Sequence, residues 1–297
     1  MMKIDSGKMQ AEYSRCRELI DHRLEAFFNE ECPYSTLLES MRYSLLAGGK
    51  RIRAVMCMKF CEASDGDAST ALDAACAIEM LHAYSLIHDD LPCMDDDDMR
   101  RGKPSNHIRF GESTAMLAGD ALQAAVFETI MNCDLPAGAV VEIGRIIART
   151  AGPHGICGGQ FLDLGGTGKQ LTPTQLMEIN ILKTASLISA SARIGVAAGS
   201  GTPEQAKAAD EYALAIGLAF QIRDDVLDHT STQEILGKPI GSDAKSSKAT
   251  FATVLGVGEC EKMIREETEK AVAALGGKFS DSVFLTWFAH MLAGREY

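Results

Sequence analysis

The chain of 297 residues is short of several things, and each absence removes a class of protein. No run reaches about 18 uninterrupted apolar residues, the length a helix needs to cross a bilayer, so no membrane span is expected. The opening stretch MMKIDSGKMQAEYSRCREL has no apolar signal core, which together with the cysteine pattern leads us to expect a cytoplasmic protein. Nine cysteines are scattered without a C-x-x-C pair or Cys/His ligand spacing, so neither a disulfide framework nor a zinc site is indicated. Cys57 and Cys61, four apart, read as small buried hydrophobes. There is no excess of positive charge. The net charge of −12 argues against nucleic acid and anionic membrane as main partners. It leaves room for a polyanionic substrate, because bound divalent ions and local arginines set the sign inside a site. Strand-like alternation and linker-like segments are missing too, and prolines number only 8. GGTGK at 165–169 fails as a phosphate loop, since Asp163 and Gln170 stand where Gly and Ser or Thr are required.

What remains is helical. With 46% hydrophobic and 24% charged residues, a packed core is available. Apolar residues recur at helical spacing over 9–29, 35–47, the stretch to 63, a long run ending at Asp89, and then 112–132, 138–151 and 154–164. Thr172-Pro173-Thr174-Gln175 and Thr202-Pro203-Glu204-Gln205 are capping boxes that open two long helices, 173–198 and 203–228. Helices over 259–275 and 281–293 finish the chain. The expectation is one all-α domain over 1–297, a helical bundle with a central pocket.

Around that pocket the chemistry concentrates in two acidic clusters. Between Asp89 and Asp98 lie six carboxylates in ten residues, Asp89, Asp90 and Asp95 to Asp98, followed by Arg100-Arg101 and a Gly-Lys-Pro turn. Such a run is either a solvated acidic loop or a site where cations hold the charges together. Carboxylate oxygens suit Mg2+, which takes one or two of them and completes its shell with water and phosphate. A second cluster, Asp224, Asp225 and Asp228, tilts the choice toward metal, with Asp224 and Asp228 on one helical face. Asp95 lies six residues from Asp89 with Pro92 between, so a distorted turn is needed to bring them to one side. Lys50, Arg51 and Arg53 in GGKRIR are either solvated surface or a cradle for a diphosphate. His82, two turns before Asp89, is either a satisfied core residue or part of that cradle. A lysine at 183, amid apolar residues, calls for an anion.

These residues carry a resemblance. GGKRIR, HAYSLIHDDLPCMDDDDMRRGKPSNH, GGQFLDL, Lys183-Thr184, FQIRDDVLD and GKPIGSDAKSSKATF stand in the order found in the trans-isoprenyl diphosphate synthases, and the chain resembles most their bacterial-type farnesyl diphosphate synthases, over about residues 40–255. The resemblance implies head-to-tail transfer of an allylic diphosphate onto isopentenyl diphosphate, small-molecule diphosphate substrates, a homodimer, and three Mg2+ ions, with Mn2+ an alternative. By the same carry-over Asp89, Asp95 and Asp224 hold the metals, supported by Asp90 and Asp228. Arg100, Lys183 and Lys238 clamp the allylic diphosphate, with Lys248 in the same loop as Lys238, and Thr184 and Gln221 face the developing cation. Lys50, Arg53, His82 and Arg101 take isopentenyl diphosphate. Tyr84, five residues and about 7.5 Å up the helix from Asp89, is the chain-length floor beside the smaller Ser85 and implies a C15 product. Tyr84 as ordinary core packing is the competing view. Geranyl or geranylgeranyl diphosphate synthesis, or a catalytically silent subunit, are the alternative functions.

Overall fold

The computed structural model describes residues 4–230 and 249–295. Its architecture follows from the apolar periodicity: amphipathic and fully apolar helices pack on one another, with almost no strand. α1 (Ser6–Glu25), α2 (Ser35–Leu45) and α3 (Ile52–Ala63) lead through a short 3-10 turn, Ala68–Ala71, into the core helix α4 (Leu72–Asp89). α4 packs against α3 and against α6 (Glu112–Met131), which follows the short α5 (Asn106–Phe110). α7 (Ala137–Ala151), α8 (Ile156–Gly166), α9 (Pro173–Asn180), α10 (Ser186–Ala198) and α11 (Pro203–Thr230) complete the central layer, α10 lying on both α3 and α11. After the undescribed stretch come α12 (Phe251–Leu255), α13 (Val257–Ala274) against α11, and α14 (Val283–Ala293).

The start signals perform as capping chemistry requires. Thr172 Oγ1 accepts from the Gln175 amide while the Gln175 side chain accepts from the Thr172 amide, and Thr202 with Gln205 repeats the exchange. Buried side chains form one large cluster centred on α3, α4 and α10, and a smaller one of Leu176, Leu218, Ile222, Val226, Phe251, Cys260 and Ile264 that joins α9, α11, α12 and α13. Cys57 and Cys61 are fully buried. The stretch Pro173–Ala198 is long and apolar enough to span a bilayer, but 61% of its apolar window is buried among other helices, the pattern of a core helix.

Two departures from the expected pattern matter for the site. The 173–198 helix is interrupted by a π turn over Ile181–Ala185, where the Ser186 amide reaches back five residues to the Ile181 carbonyl. The interruption coincides with a close approach: a Cβ on Gly159 of α8 would lie 2.3 Å from the Lys183 amide nitrogen. The second is a two-residue hairpin, β1 (Met99–Arg100) with β2 (Lys103–Pro104), antiparallel, where no strand was expected. Its corner residues Arg101 (φ 51°) and Gly102 (φ 74°) are both left-handed, as a tight hairpin corner demands.

Candidate active site

The first aspartate cluster begins where α4 stops. The helix ends at Asp89, before Pro92, and does not continue through it in distorted form. The chain then folds back: the Met94 and Asp96 amides donate to the Leu91 carbonyl, and the Asp95 amide donates to the Asp89 carbonyl at 2.9 Å. Asp96 is left-handed (φ 51°), which completes the turn. Asp95 is thereby delivered beside Asp89 by a loop, so the six-residue separation is no obstacle.

Charge is distributed unevenly along this loop. Asp90 is buried and accepts from Arg100 Nε at 2.9 Å, and Arg100 Nη2 also reaches Asp97 at 3.0 Å. Asp90 therefore anchors Arg100 at the base of the hairpin. Asp89 is held differently: Lys183 Nζ stands 4.0 Å away and gives its hydrogen bond to Asp163 of α8, at 2.7 Å. Burial pushes the Asp89 carboxyl up to about 6, with the Lys183 ammonium opposing the rise and Asp95 adding to it. A carboxylate so placed gains from an added cation.

Across the pocket, Thr184 donates to Gln221 Oε1 at 3.3 Å, Gln221 Nε2 donates to Asp225 at 2.9 Å, and the other Asp225 oxygen receives the Phe251 amide at 2.7 Å. Asp225 is thus the structural member of its cluster, tying α11 to α12. Asp224 pairs instead with Arg295, just past α14, at 2.5 Å. The Arg295 guanidinium lies 3.5 Å from the Phe220 ring centroid, and its Nη2 donates to the Phe220 carbonyl. Asp228 is half-buried on the same helix.

The cations of GGKRIR separate into two roles. Arg51 turns inward at φ 49°, buried, bonded to Asp21 at 2.8 Å, Glu79 at 3.1 Å and the Leu45 carbonyl at 3.0 Å. Arg51 therefore belongs to the frame, its guanidinium engaged by two acids and a carbonyl. Arg53 approaches His82, its Nη1 3.5 Å from His82 Nε2, and its Nε is buried without a partner. An arginine N–H only donates, so His82 Nε2 accepts and its proton sits on Nδ1. Burial, then Arg53 and Arg101, hold His82 well below the ordinary histidine range, so it is neutral at pH 7. Lys50 is lowered by burial and by Arg295, with Asp224 opposing. Arg101 donates to the Gly48 carbonyl, and a Cβ on Gly49 (φ 130°) would come within 2.9 Å of its Nη1. Gly49 leaves that space. Lys238 and Lys248 lie outside the described residues.

Tyr84 lies at 7% exposure on α4, its hydroxyl 3.6 Å from Cys157 Sγ of α8, and Ser85 Oγ is turned back onto the His82 carbonyl. Asp163, Glu79 and Arg295 were not singled out from sequence. Asp163 is within GGQFLDL and offered a signal there; Arg295 is a lone arginine near the end of the sequence and offered none.

The sequence and the fold both match known proteins. Residues 34–281 match the polyprenyl synthetase family. The chain belongs to that family. It is 41% identical over 264 residues to a farnesyl diphosphate synthase of Geobacillus stearothermophilus, covering 88% of this chain and 89% of that one. It is 46% identical over 276 residues to geranylgeranyl pyrophosphate synthase 3, chloroplastic, of Arabidopsis thaliana, covering 88% and 74%. The crystal structure of geranylgeranyl pyrophosphate synthetase from Pyrococcus horikoshii superposes with a TM-score of 0.89 at 29% identity, covering 98% and 99%. As a polyprenyl synthetase the chain is an all-α prenyltransferase of the trans-isoprenyl diphosphate synthase family.

Proposed function

We propose that this prenyltransferase joins isopentenyl diphosphate head to tail to dimethylallyl and then geranyl diphosphate, releasing farnesyl diphosphate and inorganic diphosphate, within one domain spanning the chain. The observation that carries the C15 reading is Tyr84: a buried aromatic ring about 7.5 Å up α4 from Asp89, pinned against α8, across the path a growing tail would take. One relative is named for a C20 product, which makes geranylgeranyl diphosphate the second reading.

Asp89, Asp95 and Asp224 are oxygen donors with Asp90 and Asp228 behind them, and the raised Asp89 carboxyl suits a hard cation such as Mg2+, which takes one or two carboxylates and completes its shell with water and phosphate. Bound there, Mg2+ (Mn2+ in its place) would neutralise the diphosphate and make it a better leaving group. Arg100 and Lys183, with Lys238 and Lys248 beyond the described residues, grip that allylic diphosphate. As its carbon–oxygen bond breaks, the oxygens of Thr184 and Gln221 face the allylic cation. Lys50, Arg53 and Arg101 hold isopentenyl diphosphate, and neutral His82 fixes Arg53. The terminal methylene carbon of that substrate (C4) forms the new bond, which leaves a cation at C3, and the released diphosphate accepts the proton lost from C2 as the C2–C3 double bond forms. The helices exclude water, which would otherwise capture the cation.

The exposed apolar residues Met116, Leu117 and Met131 on α6 and Val141 on α7 support a homodimer through this face. Acidic net charge and nine free thiols support a cytoplasmic setting. The test is incubation with isopentenyl diphosphate, Mg2+ and either allylic starter, reading chain length after dephosphorylation. Farnesol from both starters supports the reading; geranylgeraniol keeps the chemistry and removes the floor, and no Mg2+-dependent product leaves a silent subunit.

A further inference from the structure

The ring of Tyr84 is held by a chain of contacts that begins on another helix. His88, one turn along α4, meets it edge to face, with centroids 4.9 Å apart and planes at 73°. His88 is in turn fixed to α6: its Nε2 donates to the Met116 carbonyl at 3.0 Å, with Asp120 Oδ1 at 3.9 Å. The approach is possible because residue 119 has no side chain. A Cβ there would lie 2.2 Å from His88 Nε2, 2.4 Å from Cδ2 and 3.1 Å from Cε1. Gly119 is helical and within α6, a position where glycine costs about 1 kcal/mol relative to alanine, so close packing is what it provides.

We propose that Gly119 and His88 are specificity-determining residues for product length, acting by setting where the Tyr84 ring stands. This deepens the C15 reading and rests on it. α4 is buried against α3 and α6, so its backbone is not free to yield. A side chain at 119 forces the imidazole off its seat on α6 and against the Tyr84 ring that it already meets edge to face, so the phenol ring shifts and leaves less room for the growing tail. Removing the imidazole has the opposite effect, because Tyr84 loses its lateral support and swings into the vacated space. Two substitutions at one contact therefore move product length in opposite directions.

The experiment uses the full-length enzyme and its variants H88A, H88W, G119A and Y84A, each with isopentenyl diphosphate, Mg2+ and both starters. Product ratios are read rather than rates, since His88 adjoins Asp89 and a general defect lowers all products together. H88A is expected to raise the C20 to C15 ratio about tenfold, in the range that one lost hydrophobic contact contributes to discrimination. G119A is expected to raise the C10 to C15 ratio from dimethylallyl diphosphate by about the same factor. H88W supplies the shortening arm independently of any change on α6, should G119A not fold. Wild-type ratios in H88A, with Y84A lengthening the products, would overturn the proposal, as would lengthening in G119A. Failure of the underlying reading shows separately, as a C20 product from the wild type or an unchanged product from Y84A.

Discussion

At the GGKRIR end of the pocket Arg53 is buried with an unpartnered Nε, and His82 is neutral, while Lys50 and Arg53 are both pulled downward in pKa by burial. At the aspartate end the same burial pushes Asp89 upward, and each neighbouring cation is engaged by an acid, Lys183 by Asp163 and Arg100 by Asp90 and Asp97. One end is thus short of an anion and the other short of a cation. In physical terms a diphosphate can enter the first alone, whereas it enters the second only together with divalent ions. On the proposed function, isopentenyl diphosphate takes the cationic end and the ionising allylic diphosphate the acidic one.

Asp89→Asn breaks the comparison most severely. Activity with Mg2+ should fall about 10³-fold, the scale of losing a charge-stabilising group at the reacting centre. Stability of the metal-free protein should move the other way. Asp89 titrates near 6 in the fold against an ordinary 3.8, so its protonated form is the one that folding favours. Its contribution is present below pH 3.8 and lost as the pH rises through about 6. At pH 8 the amide should therefore raise the melting temperature by a few degrees, read by calorimetry in chelator. A lowered melting temperature would contradict a carboxylate awaiting a cation.

Arg53→Gln should sharpen the contrast from the other side. The KM for isopentenyl diphosphate should rise about 30-fold, as when one partner of a buried charge pair is removed, with the allylic KM and Mg2+ dependence little changed. Glu79→Gln affects the frame and not the ligands. It leaves Arg51 partly uncompensated in the core, and a loss of about 3 kcal/mol in denaturant unfolding is expected.

Much of this was legible in the sequence because its causes are local. Apolar spacing and the Thr172 and Thr202 caps placed the helices within a few residues, and both aspartate clusters could be read as helix ends. What was not legible depends on contacts between distant segments. Arg51 and Arg53 look alike in GGKRIR, and only the left-handed backbone at 51 turns one into the core toward Glu79. The hairpin at Arg100 has strands too short for alternation to register. The π turn at Lys183 coincides with Gly159 on another helix, and Arg295 finds Asp224 across the fold.

The most direct test is a pair of calorimetric titrations of the wild-type enzyme, with isopentenyl diphosphate and with a non-reactive thio analogue of geranyl diphosphate, each in Mg2+ and in chelator. The account predicts that isopentenyl diphosphate binds with similar affinity in both conditions and that the allylic analogue binds only with Mg2+. Isopentenyl diphosphate requiring Mg2+, or the analogue binding equally well in chelator, would contradict it.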